Sequence, residues 1–260
     1  MYPVLFQYGE FIIPTFFTMV MLGALAATFF IYYKAPKVGL SQVTVLDIGM
    51  VGTLFGVLGG RLFHVFAEAF WFYQEDWTRI FEFWRGGFVS YGAFILGSIA
   101  VVVYLLIRKQ PLLKYLDLGG LSLPIVVFFI RVGCLGAGCC HGKPTDFFIH
   151  LVFNNPASTA GSLYLGVPLH ATQIYSMINA ALLFAFLNQR YKRRLFDGEI
   201  ILLFFMIYPV LRGLVEILRG DLDRGVYFDG LLSTGQITGA VVFVFASLTY
   251  FYLFKKRKHG

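Results

Sequence analysis

Charge is scarce in this chain. Only 13% of its 260 residues are Asp, Glu, Lys or Arg, and only 14 of those are acidic. A soluble domain carries about 25% charged and about 45–50% apolar residues, so a soluble fold of this composition lacks the polar surface to cover itself. Cysteine is scarce too: three in the whole chain exclude a disulfide-knit secreted domain. The shortage of charge also excludes disorder and a coiled coil. What is present is 58% hydrophobic residue, with 30 Phe and 15 Tyr, the composition of a lipid-exposed helical bundle. The net charge of +7 would suggest nucleic acid in a soluble protein. In a membrane protein the position of the cations matters more than their sum, and no nucleic-acid partner is expected.

Crossing about 30 Å of hydrocarbon takes about 20 apolar residues in a helix. Seven stretches meet or approach this: Ile12–Tyr33, Leu46–Phe63, Gly87–Ile107, Tyr115–Cys134, His170–Leu187, Glu199–Leu218 and Ser233–Phe254. The expected fold is therefore an all-α integral membrane protein of seven transmembrane helices with a small outward-facing head, one polytopic domain over residues 1–260. The first span lacks a preceding basic residue and a following small-residue cleavage site, so it is expected to stay in the mature protein. Alternate loops hold Lys34 and Lys37; Arg108, Lys109 and Lys114; Arg190, Lys192, Arg193 and Arg194; and the tail Lys255, Lys256, Arg257 and Lys258. Thirteen of the 21 cations thus lie on one side, which places the N-terminus outside and the C-terminus inside.

Two outward segments are long enough to build something. Between spans two and three, Phe66, Phe70, Tyr73, Trp77, Phe81 and Trp84 recur at spacings of three and four, opposite Glu68, Glu75, Asp76 and Glu82. Over 64–86 this predicts an amphipathic helix in the outer interface or packed on top of the bundle. Residues 138–169, rich in Gly, Pro, Asn and Ser, predict an irregular outward cap. No internal repeat supports a transporter plan.

An ionisable residue deep in a span costs about 2.5–3.5 kcal/mol on insertion scales and marks function by default. At about 1.5 Å rise per residue, Arg61 lies about 22 Å along span two, Arg131 about 24 Å along span four and Arg212 about 20 Å along span six. Tyr91 enters about 6 Å from the outer end of span three. Four polar groups on four spans are thus expected at one depth. In span six Tyr208, Arg212, Glu216 and Arg219 form one stripe beside Pro209. An Arg212–Glu216 pair that eases insertion explains one arginine, not three. Several arginines at outer-leaflet depth suit a phosphate, whose oxygens accept bidentate guanidinium bonds, and the abundant phosphate there is a phospholipid head group.

Span four ends in Arg131-Val-Gly-Cys134-Leu-Gly-Ala-Gly-Cys139-Cys140-His141-Gly142. Its glycines let the backbone turn sharply and approach a ligand closely. Zinc or copper ligation, a disulfide, and plain packing of small thiols are all open, although C-x4-C-C-H is not a two-pair metal spacing.

Five segments carry a family resemblance. Gly86-Gly-Phe-Val-Ser-Tyr91-Gly-Ala is similar to GGMSFHGG, Arg131–Gly142 to RxGNFxNGExxG, and His170-Ala-Thr-Gln173-Ile-Tyr175 to HPSQLYE. Tyr208-xxx-Arg212-xxx-Glu216-xx-Arg219 is similar to YxxxRxxxExxR, and Ser233-Thr-Gly-Gln236-Ile to SxGQIL. In this order the chain resembles the prolipoprotein diacylglyceryl transferases. The resemblance implies transfer of diacylglycerol from phosphatidylglycerol to the lipobox cysteine of prolipoprotein signal peptides, releasing glycerol 1-phosphate. It implies a monomer in the bacterial plasma membrane, with its site toward the outer leaflet and neither cofactor nor metal.

The implied catalytic residues are Tyr91, Tyr208, Arg212 and Glu216. Arg131, Gly142 and Arg219 would bind substrate, as would Cys134 and Cys139 at motif positions; Arg61 joins them by depth. The sequence departs from the family at Tyr91, where the motif has histidine, at Cys134 and Cys139, where it has asparagine and glutamate, and at Phe16, where it has tyrosine. His141 and Glu216 are the candidates to replace the missing base. A second reading keeps the phospholipid site but places different thiol or metal chemistry at Cys134, Cys139, Cys140 and His141. A lipid transporter is disfavoured because the inner halves of the spans are apolar, with Asp47 and Asp117 only at their ends.

Overall fold

The computed structural model describes all residues except 1, 10, 83–85, 222–224, 228–231 and 260, and leaves out the side chains of 11, 226, 258 and 259. Trp84, Arg85 and the side chain of Lys258 lie outside the described residues. The chain is mostly helical. The helices are α1 (Thr15–Lys34), α2 (Gln42–Phe63), α3 (Phe70–Gln74), α4 (Ser90–Ile107), α5 (Leu112–Ala137), α6 (Thr159–Leu163), α7 (Thr172–Tyr191), α8 (Glu199–Glu216) and α9 (Thr234–His259).

Each stretch expected to span forms a long helix, and among the described residues five helical segments are long and apolar enough to cross a membrane: Thr15–Val38, Gln42–Glu68, Ser90–Ile107, Leu112–Ala137 and Thr234–Arg257. The other two, α7 and α8, fall short through the residues that make them interesting. Helix α7 carries Thr172, Gln173, Ser176 and Asn179 in its first half, and α8 carries Glu199, Arg212 and Glu216 within 18 residues. The first helix begins later than expected. Val4–Tyr8 and Phe11–Pro14 pair as an antiparallel hairpin that takes Ile12 and Ile13 out of the span, and the helix starts after Pro14.

The chain forms two compact units, residues 28–115 and residues 1–27 with 116–260. In the first, α2 and α4 pack through glycine. A Cβ on Gly59 would stand 2.4 Å from the Gly92 carbonyl oxygen, and one on Gly92 would stand 2.4 Å from that of Gly59. Small residues let helix backbones meet where lipid gives no hydrophobic drive to associate. The segment expected as one amphipathic helix is broken. A π-helical turn at His64–Glu68, α3 and a 3-10 turn at Trp77–Phe81 follow one another. Asp76 ends the run because its carboxylate accepts from Thr78 N at 3.0 Å and starts the last turn. The aromatic face is divided as well: Phe66, Trp71, Trp77 and Phe81 are exposed, whereas Tyr73 is buried.

In the second unit, α5 meets α1 where Gly133 lies against Phe16, and α8 where Gly120 lies against Ile201. Buried Asp117 of α5 accepts from Gly198 N at 2.9 Å, Ile200 N at 2.8 Å and Ile201 N at 3.3 Å. One carboxylate thereby satisfies the orphan donors that open α8 and fixes where that helix begins. The cap is a small fold. Strands His150–Val152 and Pro168–His170 pair antiparallel, and Phe153, Ala160 and Leu169 form its buried core.

Candidate active site

Three motifs of the sequence prove to be supports for a fourth. Ser233 and Gln236 cap α9 reciprocally: Gln236 N donates to Ser233 Oγ at 3.2 Å and Ser233 N donates to Gln236 Oε1 at 3.0 Å. Gln236 Nε2 also donates to Gly213 O of α8 at 3.5 Å. At the start of α7, Gln173 Nε2 donates to Cys139 O at 2.8 Å and Thr172 Oγ1 to Cys140 O at 2.6 Å. The Gly142 segment pairs with Arg219 and runs beside His170, so close that a Cβ on Gly142 would stand 2.4 Å from His170 Cβ. That contact requires glycine at 142 for packing, whatever else it does.

Arg212 and Glu216 stand one turn apart on α8 and form an ion pair, and Arg219, just past the helix end, reaches the same Glu216 oxygen at 3.4 Å. Asp221 takes the rest of the Arg219 fork, accepting from Nε at 2.9 Å and also pairing with Nη2. Arg131 of α5 is buried within electrostatic reach of Tyr208, Cys134, Cys140 and Arg219, and Arg212 within reach of Arg131. The Arg131, Arg212 and Arg219 guanidiniums and the Glu216 and Asp221 carboxylates thus gather in a largely buried place. Among the described residues, Arg131 Nε has no hydrogen-bond partner and Arg212 Nη1 has the Glu216 ion pair alone. A buried donor without a partner costs about 1–3 kcal/mol, more when charged, so this arrangement suits an arriving acceptor.

A narrow cleft lies at this cluster. Arg131, Arg212, Tyr208, Ser176 and Asn179 supply its polar wall, and Val127, Leu211 and Val215 its apolar one. Cations beside an apolar surface match an anionic head group joined to acyl chains. Tyr208 is held by stacking on Phe204, with centroids 5.2 Å apart. Ser176 and Asn179 were missed in the sequence. Their signal was a polar pair three residues apart that extends the polar start of α7 at Thr172 and Gln173. Asp221 was missed too, because it lies beyond the motif.

Arg61 is a correction to the expected phosphate cluster. Its Nε donates to Ile80 O at 2.9 Å, Nη1 to Gly86 O and to Gly87 O at 3.2 Å, and Nη2 to Arg79 O at 2.6 Å and Glu82 O at 3.3 Å. Carbonyls engage every nitrogen of the guanidinium, and Tyr73 and Phe88 lie against it. No face is left for a phosphate, so Arg61 is a clasp for the backbone of Arg79, Ile80, Glu82, Gly86 and Gly87. This also explains the double glycine of its motif. Gly86 and Gly87 have φ of 79° and 78°, and a Cβ on Gly87 would stand 2.9 Å from Arg61 Nη1. Tyr91 opens α4 in this same 28–115 unit, with 49% of its surface exposed.

Cys134, Cys139 and Cys140 carry free thiols, so the disulfide reading is not realised here. Hydrogen bonds from the Cys134 and Cys139 thiols, then the Arg219 and Arg131 guanidiniums, draw the Cys140 thiol below the ordinary thiol range. His141 is wholly buried, with Nδ1 3.0 Å from Gly142 O. A carbonyl only accepts, so Nδ1 carries a proton, and Nε2 has no partner among the described residues.

The family model described as prolipoprotein diacylglyceryl transferase matches residues 3–252. The chain is 36% identical over 236 residues to the phosphatidylglycerol–prolipoprotein diacylglyceryl transferase of Clostridium tetani, covering 91% of each chain. It is 32% identical over 233 residues to the transferase numbered 2 in Clostridium perfringens, covering 89% of this chain and 88% of that one.

Proposed function

The chain belongs to the prolipoprotein diacylglyceryl transferase family, and from that premise we propose that it transfers the diacylglyceryl group of phosphatidylglycerol to the cysteine thiol of a prolipoprotein signal peptide. Whole-length membership carries this reading. The buried, under-partnered cations beside an apolar wall support where the lipid is held.

In the reaction the acceptor sulfur attacks the glyceryl carbon that bears the phosphate ester. The C–O bond breaks with its electron pair on oxygen, and glycerol phosphate leaves. Negative charge grows on the departing phosphate, so fixed cations there lower the barrier. Arg131 and Arg212 bind the phosphodiester, and Arg219 adds to the positive field. Glu216 lies between two arginines and orients them. Tyr208 lines the same cleft. Cys134 and Cys139, at the family's asparagine and glutamate positions, support the turn beside the lipid, and Gly142 lets that turn pack.

The thiol proton needs an acceptor. Tyr91 stands at the family's histidine position, and His141 offers an Nε2 with no partner among the described residues. Under this reading Tyr91→Phe lowers turnover by about 100-fold, the lower end for general base catalysis, and His141→Ala does not. The reverse pattern assigns the proton to His141.

The seven long helices cross the bacterial plasma membrane, N-terminus outside, as one polytopic domain that works as a monomer with its site toward the outer leaflet. The thirteen cations on alternate loops support that orientation. Purified protein mixed with phosphatidylglycerol and a lipobox peptide should add one diacylglyceryl mass to the peptide cysteine and release glycerol phosphate. No mass gain from folded protein would contradict the reading.

A further inference from the structure

The three thiols have no assigned chemistry in the transfer, yet they are gathered with some care. The sulfur atoms of Cys134, Cys139 and Cys140 all lie within 4.8 Å of one another. The turn is closed by Cys139 N donating to Cys134 O at 3.1 Å. Gln173 and Thr172 hold the carbonyls of Cys139 and Cys140 from α7. Adjacent side chains in a strand point to opposite faces, so neighbours such as Cys139 and Cys140 share a centre only where the backbone departs from regular form. It does so at Cys140, with φ of 58° in a residue that is not glycine. Such a conformation persists where its surroundings over-determine it.

We infer that Cys134, Cys139 and Cys140 form a trithiolate site for a thiophilic closed-shell cation, with Zn(II) as the ion to test. A tetrahedral zinc with Zn–S bonds of about 2.3 Å holds its sulfurs about 3.8 Å apart. Side-chain shifts of about 1 Å therefore close the site. On binding, three S–H protons leave to solvent, three S–Zn bonds form and no electron changes hands. Three thiolates and one dication carry a single negative charge. Arg131 and Arg219, both in electrostatic reach of Cys140, offset it. The fourth position falls to water or to an incoming thiolate. The Gln173 and Thr172 hydrogen bonds play the part of outer-shell partners that hold ligands in place. The inference does not depend on the transfer reaction.

The test uses full-length protein purified in detergent under reductant, stripped with chelator, loaded with zinc and passed through gel filtration. The expected result is one zinc per chain by elemental mass spectrometry, with all three thiols protected from a thiol reagent. Cobalt in place of zinc should give thiolate-to-metal charge-transfer absorption. Cys134→Ser and Cys140→Ser should each lose the metal while keeping helical circular dichroism. Should either serine variant misfold, Gln173→Ala keeps all three thiols and should weaken zinc affinity by about 10–100-fold, the usual cost of an outer-shell partner. Zinc retained equally by the serine variants, thiols that react as fast with zinc as without, or an unchanged affinity in Gln173→Ala would overturn the site. Because metal content is read without turnover, this outcome is separable from failure of the transfer assay.

Discussion

Two buried charge clusters lie in the same unit and are built differently. At the basic end of α7 and α8, Asp117 accepts three backbone N–H groups, and Arg194 stands 3.8 Å away. Glu199 beside it accepts from Arg190 Nε at 2.9 Å and Nη2 at 2.6 Å, and also from Leu195 N. Both carboxylates are fully buried and surrounded by donors. At the other end of α8, Arg212 and Arg219 pair with Glu216, Arg219 pairs also with Asp221, and among the described residues Arg131 Nε has no hydrogen-bond partner. A saturated cluster has no use for a ligand, whereas one with buried guanidinium nitrogens unpartnered among the described residues has a place for one. Arg61, in the 28–115 unit, belongs with the saturated kind although its depth along the helix matched the open one.

The largest expected effect would sharpen this contrast on its structural side. Asp117→Asn should cost about 3–5 kcal/mol of stability, as breaking a buried pair does, while turnover per folded molecule stays near wild type; chemical unfolding and the transfer assay together measure both. On the open side, Arg131→Ala should lower transfer by about 100–1,000-fold, equivalent to about 2.7–4 kcal/mol of transition-state stabilisation, with unfolding little changed. Equal loss of stability in the two variants would break the comparison. Arg61→Lys cannot reproduce the fork that holds five carbonyls. It should cost about 1–3 kcal/mol and expose the clasped backbone to limited proteolysis, leaving the KM for phosphatidylglycerol unchanged. The smallest effect is expected at Tyr208→Phe, where removing one neutral hydroxyl from the cleft should cost about 0.5–1.5 kcal/mol, read as a few-fold to tenfold fall in kcat/KM.

Much of this was legible in the sequence, for reasons that differ by region. Hydropathy alone located all seven long helices because each must bury or expose an apolar face over 18 residues or more. The stripe of Tyr208, Arg212 and Glu216 followed from helical spacing, and the pairing of Arg212 with Glu216 is present. Arg61 misled because counting residues along a helix gives depth but says nothing of what folds back onto the side chain. The backbone carbonyls of Gly86 and Gly87 leave no trace in residue identity. The 64–86 segment kept its aromatic period, but Asp76 capped a new turn inside it and split the helix. The cap's strands are three residues each, too short to carry a period. The cysteines left three readings open because sulfur-to-sulfur distance depends on one left-handed residue, Cys140.

Arg131 Nε and Arg212 Nη1 are buried without a hydrogen-bond partner among the described residues, a place suited to a phosphate. Thermal melting of wild type and Arg131→Ala in mixed micelles, titrated with phosphatidylglycerol or with diacylglycerol, tests it most directly, because a ligand that binds the folded state raises its melting temperature. Phosphatidylglycerol should raise the melting temperature of wild type, diacylglycerol, lacking the phosphate, should not, and Arg131→Ala should lose the shift. An equal shift with both lipids, or one that survives in Arg131→Ala, would contradict it.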